Sequence, residues 1–133
     1  MRPSELNART GMTGFFLGLG LSLRYLDTRE CLYALNCLFL GDTAAAMCGI
    51  AFGSTKLSAK TNKTLEGLLG NVIVCVLVLD ALKYNYGPVP SLLIAIVPSV
   101  AEFVSGDIIP VNDNFLIPFS AGISISVANL IYK

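Results

Sequence analysis

The chain has 133 residues, 54% of them hydrophobic and only 14% charged, with no formal net charge and a mean hydropathy of +0.70. Soluble domains carry about 25% charged residues, so there is too little polar surface here to cover a water-soluble globule, and the expected solvent is a bilayer. The absence of histidine excludes His-based general bases, catalytic triads and His-liganded metals, and no basic patch dense enough for nucleic acid is present.

Five apolar segments follow in chain order, and none alternates with period two, so an all-α, polytopic membrane protein with about five spanning or partly re-entrant helices is expected. The first, residues 11–26, keeps a basic start without a cleavage site and is expected to stay in the protein. Its Gly11, Gly14, Gly18 and Gly20 suit close helix packing. The second covers residues 31–52 and is interrupted by Asp42. The third covers 65–82, the fourth 91–105 and the last 115–132. Several are short for a full crossing, so tilted or broken helices are allowed, with Pro110 and Pro118 as candidate break points. Short links and no internal repeat make residues 1–133 a single membrane domain. Cys31, Cys37, Cys48 and Cys75 form no C-x-x-C pair and read as small hydrophobes between helices. Tyr25, Tyr33, Tyr84, Tyr86 and Tyr132 read as interfacial anchors.

If all five segments cross, the N-terminus, the 53–64 loop and the 106–114 loop share one face. The lysines at 56, 60 and 63 make that face cytoplasmic by the positive-inside rule.

Acids in apolar segments are costly, at least about 2.5 kcal/mol near the bilayer centre on insertion scales, and usually face a cavity, a cation or a ligand. Asp42 is the sharpest case. Helical spacing places it on one face with Ala45, Ala46 and Gly49, leaving room for a substrate or a hydrated cation. The alternative is a cap on a half-helix starting at Thr43. The loop after it, with Gly53, Lys56, Lys60, Asn62, Lys63 and Thr64, offers point charges and a helix N-terminus to a triphosphate. It is not a Walker A loop, and the lysines alone would also serve as a membrane-surface anchor. Thr64 reads as an N-cap and Glu66 as a first-turn acid. Glu102, Asp107 and Asp113, with Asn112 and Asn114, form a further polar group. Oxygen ligands opposite a triphosphate loop are what Mg²⁺ takes, with Asp107 the weakest candidate.

The run Gly41-Asp42-Thr43-Ala44-Ala45, then Gly49, Phe52-Gly53 and Asn62-Lys63-Thr64-Leu65-Glu66-Gly67 resembles the CTP-dependent lipid kinases. That superfamily holds diacylglycerol, dolichol and phytol kinases, with phosphatidate cytidylyltransferases as more distant relatives. The closing stretch Ala101-Glu102, Asn112-Asp113-Asn114-Phe115-Leu116-Ile117-Pro118 and Ser120-Ala121-Gly122 looks most like the fungal diacylglycerol kinase branch. The resemblance implies transfer of the γ-phosphate of CTP to diacylglycerol, giving phosphatidate at the endoplasmic reticulum or nuclear envelope with site loops in the cytoplasm. It carries over Asp42 and Gly49 as residues important for activity; beside it, the expected roles are Asp42, Glu102 and Asp113 as catalytic, Asp42 and Asp113 as Mg²⁺ ligands, and Gly49, Gly53, Lys56, Lys60, Asn62, Lys63 and Thr64 as the nucleotide site.

Arg2 and Glu5 match the family's N-terminal basic motif, although Pro3 stands at its second basic position. Glu66 and Asn112 also depart from the branch pattern, and the family usually has spans before the basic motif. The chain is accordingly read as a fragment or a reduced form. A polyprenol or phytol kinase is the nearest rival and cytidylyl transfer a further one. Outside enzymes stand a small transporter or channel subunit and an inactive partner subunit. The oligomeric state is left open.

Overall fold

The structure, a computed structural model, describes residues 3–58, 62–105 and 112–132, and side chains from residue 11 onward. It is all-α apart from an isolated bridge between Lys56 and Thr64. Helix α1 is Pro3–Tyr25 and α2 is Thr28–Asn36, which runs through a π-helical turn, Cys37–Gly41, into α3, Asp42–Phe52. Helices α4, α5 and α6 are Leu65–Ala81, Pro88–Val104 and Asp113–Ile131.

Local chemistry explains most of the helix starts. The Thr64 hydroxyl accepts from the Gly67 amide at 3.2 Å to open α4, and the Asn112 side chain accepts from the Asn114 amide at 2.9 Å to open α6. These are the N-cap bonds that free helix-terminal amides need. Asp27 and Glu30 form a capping box on α2. Helix α5 starts on Pro88, where a missing N–H costs nothing, just after Gly87 at φ 90°.

Each apolar segment is one continuous helix. Pro118 lies inside α6 and Pro98 inside α5 without ending either, so the break expected at Pro118 does not occur; Pro110 lies outside the described residues. Asp42 does not cap a half-helix either. Its φ of −63° and ψ of −43° are helical, and its amide donates back to Leu38.

Two helices, Thr28–Phe52 and Asp113–Ile131, are long and apolar enough to cross a membrane, with only 22% and 33% of their apolar windows buried. A core helix of a soluble protein would be mostly covered. Large apolar side chains such as Ile50, Leu130 and Leu23 stand exposed instead.

Inside the bundle, Tyr33, Cys37, Cys75, Leu79, Ile117 and Ile125 make up the solvent-free core. Tyr33 is therefore no interfacial anchor, since neighbours from α4 and α6 cover it completely. Tyr84, Tyr86 and Tyr132 cluster where α4 and α6 end, with Tyr86 between Tyr84 and Tyr132, and Tyr25 closes α1. The Tyr86 hydroxyl donates to Asn129. Burial, and then Tyr84 and Glu30 beside it, push it up to about 12, so it remains the donor throughout the physiological range. The cysteines are free thiols, and three of the four are buried.

Small residues set the helix separations. A Cβ at Gly67 would lie 2.7 Å from the Ala45 carbonyl, and one at Gly70 2.6 Å from the Cys48 sulfur, so α3 and α4 are in near-backbone contact. On α1, Gly11 and Gly14 face the Asn112–Asn114 turn, and Gly18 would place a Cβ 2.9 Å from both the Asn114 carbonyl and Pro118. A Cβ at Gly20 would meet nothing within 4 Å among the described residues. The packing role holds for the first three glycines and not for the fourth. Gly18→Leu is expected to destabilise the bundle by about 1–3 kcal/mol through overpacking, read as a lower thermal midpoint in detergent, whereas Gly20→Leu leaves the midpoint unchanged.

Candidate active site

The π-helical turn decides where Asp42 points. One residue more than an α-helical turn is wound in before it, and such turns recur at functional sites. Gly41 makes the turn possible at this spot, because a Cβ there would come within 2.9 Å of the Asn71 carboxamide oxygen. Asn71 is itself fully buried and held by the Ser99 hydroxyl at 2.9 Å and the Cys75 thiol at 3.2 Å. Below the turn, Asp42, Ala45, Ala46 and Gly49 all line one side of a cavity of about 520 Å³, the shared face that helical spacing predicts.

The other walls come from the 53–64 loop, the start of α4 and the end of α5. Gly53, Lys56, Asn62, Lys63, Thr64, Gly67 and Glu102 line it. The loop folds back on itself: the Leu57 amide donates to Lys63 at 2.9 Å and the Leu65 amide to Thr55 at 3.0 Å. Asn62 takes a left-handed conformation, φ 55°, which Asn tolerates better than most residues. Gly49 and Gly53 let this loop sit against α3, since a Cβ at Gly49 would lie 3.1 Å from the Thr64 hydroxyl and one at Gly53 2.8 Å from the Thr64 methyl.

Two charged residues hold the loop in place. Glu66 accepts from the Ser54 hydroxyl at 2.8 Å and the Thr55 amide at 3.2 Å, a clasp on the loop that a first-turn acid alone does not imply. Lys63 reaches across to α5. Its ammonium donates to the Glu102 carbonyl, to Ser105 oxygens at 3.0 and 3.2 Å, and pairs with the Glu102 carboxylate at 3.6 Å. A cation belongs at a helix C-terminus, where unpaired carbonyls carry partial negative charge. Lys56 has a lighter engagement, one hydrogen bond to Asn62 at 3.4 Å.

Asp42, Glu102, Asp113 and Lys63 lie within electrostatic reach of one another. Asp42 and Glu102 face the cavity, whereas Asp113 stands at the start of α6 and is not among its lining residues. Among the described residues, no three of His, Cys, Asp or Glu gather closely enough to hold a metal ion by themselves. Arg2, Lys60 and Asp107 lie outside the described residues, and so does the side chain of Glu5. The π-turn, the Glu66 clasp and the Lys63 anchor are absent from the sequence reading.

Asp42 and Glu102, with Lys56 and Lys63 of the loop, thus line one cavity of this helical bundle. A family model described as the cytidylyltransferase family matches residues 12–109, and the chain belongs to that family. The matched region contains Asp42, the whole 53–64 loop and Glu102. No curated protein matches the chain. No solved structure matches it either. Membership supports a general transferase activity with CTP and a lipid as the related partners.

Glu66→Ala is expected to release the 53–58 strand of the loop, read as faster amide exchange at Thr55 and Leu57 with unchanged exchange in α5. Unchanged exchange at Thr55 would contradict the clasp.

Proposed function

We propose that the protein is a membrane-embedded, CTP-dependent lipid kinase that phosphorylates diacylglycerol, with a polyprenol as the alternative acceptor. The observation that carries the proposal is the convergence on one cavity of Asp42, Gly49, Lys63, Thr64 and Glu102, residues on which the resemblance to the lipid kinases rests, together with Lys56. The helices lie in the bilayer, so the cavity opens where a lipid hydroxyl and an aqueous nucleotide can meet. The compartment is the endoplasmic reticulum or nuclear envelope, with the cavity on the cytoplasmic side.

Phosphoryl transfer asks for positioning and charge neutralisation more than covalent chemistry. The acceptor oxygen forms a bond to the γ-phosphorus, the bond to the β–γ bridging oxygen breaks, and CDP leaves. With no histidine in the chain, a carboxylate takes the hydroxyl proton; Glu102, at the α5 end of the cavity, is the residue assigned to it. Lys56, and Lys60 from the same loop, draw the phosphates. Lys63, already tied to α5, holds the wall against which they rest.

Mg²⁺ fits this donor set in one way only. Two carboxylates cannot complete its octahedral shell, but nucleotide phosphates and water would supply the remaining oxygens, as they do in sites of this class. Asp42 is the carboxylate in the cavity that would hold it, with Asp113 close by. Bound there, it would neutralise charge on the phosphates.

The family's description favours a second reading, cytidylyl transfer. There a phosphatidate oxygen attacks the α-phosphorus of CTP and pyrophosphate leaves. Incubation with diacylglycerol, phosphatidate and Mg²⁺ in mixed micelles separates the two. Label from γ-³²P-CTP in the lipid marks the kinase, and label from the cytidine moiety marks the cytidylyltransferase. Asp42→Asn is expected to lower the rate by about 10²-fold or more, the scale of losing one preorganised electrostatic partner, while membrane insertion is retained. Full turnover in that variant would remove Asp42 from the site.

A further inference from the structure

At the end of the bundle away from the catalytic cavity, two hollows meet. One, of about 630 Å³, is lined by polar residues including Asp27, Arg29, Glu30, Tyr84 and Asn129. The other, of about 360 Å³, is an apolar groove between α1 and α6, walled by side chains such as Leu21, Pro118, Phe119, Ile123 and Val127. Ser126 and Leu130 line both, so the hollows adjoin. A polar chamber beside a hydrocarbon groove has the shape and polarity of an amphiphile.

The chamber carries both signs of charge. Arg29 is exposed and stacks over the Tyr84 ring at 4.5 Å. Among the described residues it binds the protein through Nη2 alone, to the carbonyls of Leu82 and Lys83. A guanidinium has five N–H donors, so Nε and Nη1 are left for an anion such as a phosphate, which arginine takes in bidentate fashion.

Glu30 is only 8% exposed. Its oxygens accept from the Asn129 amide at 2.7 Å, the Ser126 hydroxyl at 3.1 Å and the Asp27 amide at 3.2 Å. Three hydrogen bonds leave one of its roughly four acceptor sites open, and no cation within the described residues pairs with it. A buried carboxylate without a counter-charge is costly, and exposed Asp27 adds a second negative group beside it. Tyr25, Tyr84 and Tyr132 stand at the same end, the depth at which aromatic side chains meet lipid headgroups.

We infer that this double hollow is a binding site for one zwitterionic phospholipid, its phosphate on Arg29, its ammonium on Asp27 and Glu30, and one acyl chain along the α1–α6 groove. The inference rests on the membrane-embedded reading but not on the kinase reading, because no residue of the catalytic cavity takes part. The lipid would add to the contact that α1 and α6 already make where Leu26, the residue after α1, packs on Gly122.

The test is native mass spectrometry of the detergent-purified protein after exchange with 1-palmitoyl-2-oleoyl phosphatidylethanolamine or the corresponding phosphatidylglycerol. Phosphatidylethanolamine should be retained about tenfold better, and Arg29→Gln should reduce its retention about tenfold, the scale of one charge-assisted hydrogen bond. Because Arg29 also ties the 82–83 turn, Ile123→Trp is the second variant. Ile123 is half exposed on the groove, and the indole fills the channel without entering the core. Equal retention of the two lipids, or full retention in Ile123→Trp, would overturn the inference. So would a dimer that Ile123→Trp dissociates, since a second copy would then occupy the groove. A chain that stays monodisperse without detergent would overturn the membrane reading itself. One that needs detergent yet retains neither lipid would remove only this site.

Discussion

Much of the cavity's shape follows from where one ammonium group sits. Lys63 closes a loop that begins at the end of α3 and delivers its charge to the last carbonyls of α5, 39 residues further along the chain at Glu102. A lysine with three donors meets four carbonyl and hydroxyl oxygens and a carboxylate there, in a partly buried setting where cation and helix terminus reinforce each other by up to about 2 kcal/mol. The pairing holds Glu102 in the lining of the cavity that Asp42 also lines and ties the 53–64 loop to α5. It also separates the lysines by role: Lys63 belongs to the frame, while Lys56 keeps a looser head inside the cavity.

The close approach of α3 and α4 is the second constraint, and it is written in small residues. Gly49, Gly53, Gly67 and Gly70 remove the side chains that would hold the helices and the loop apart. In a bilayer, with no hydrophobic drive between helices, such contact is what van der Waals packing needs. Close packing and the room in the cavity thus come from the same residues, because Gly49 both lies against Thr64 and lines the cavity.

The helices were legible because apolar runs and caps are local. Residues 65–82 and 115–132 in the sequence became Leu65–Ala81 and Asp113–Ile131, and Thr64 caps as its side chain suggests. The Asp42 face was legible for the same reason, since Ala45, Ala46 and Gly49 follow it at helical spacing. What the sequence hid depends on partners far along the chain. The π-turn before Asp42 needs Gly41 against Asn71, the anchoring of Lys63 needs the end of α5, and the network around Glu30 needs Ser126 and Asn129. Tyr33 misled because its position near a segment end says nothing of the helices that cover it. Pro118 misled because a proline in a packed helix can leave one carbonyl unpaired without ending the helix.

Family membership and geometry meet at one point, the cavity between α3, α4 and the end of α5, and the central claim is that CTP binds there. Hydrogen exchange of the purified protein with and without CTP and Mg²⁺ tests it most directly. The account predicts added protection in residues 53–58, 62–68 and 102–105, with none at the Arg29–Tyr84 end. Protection confined to that far end, or no protection at CTP concentrations that support turnover, would contradict it.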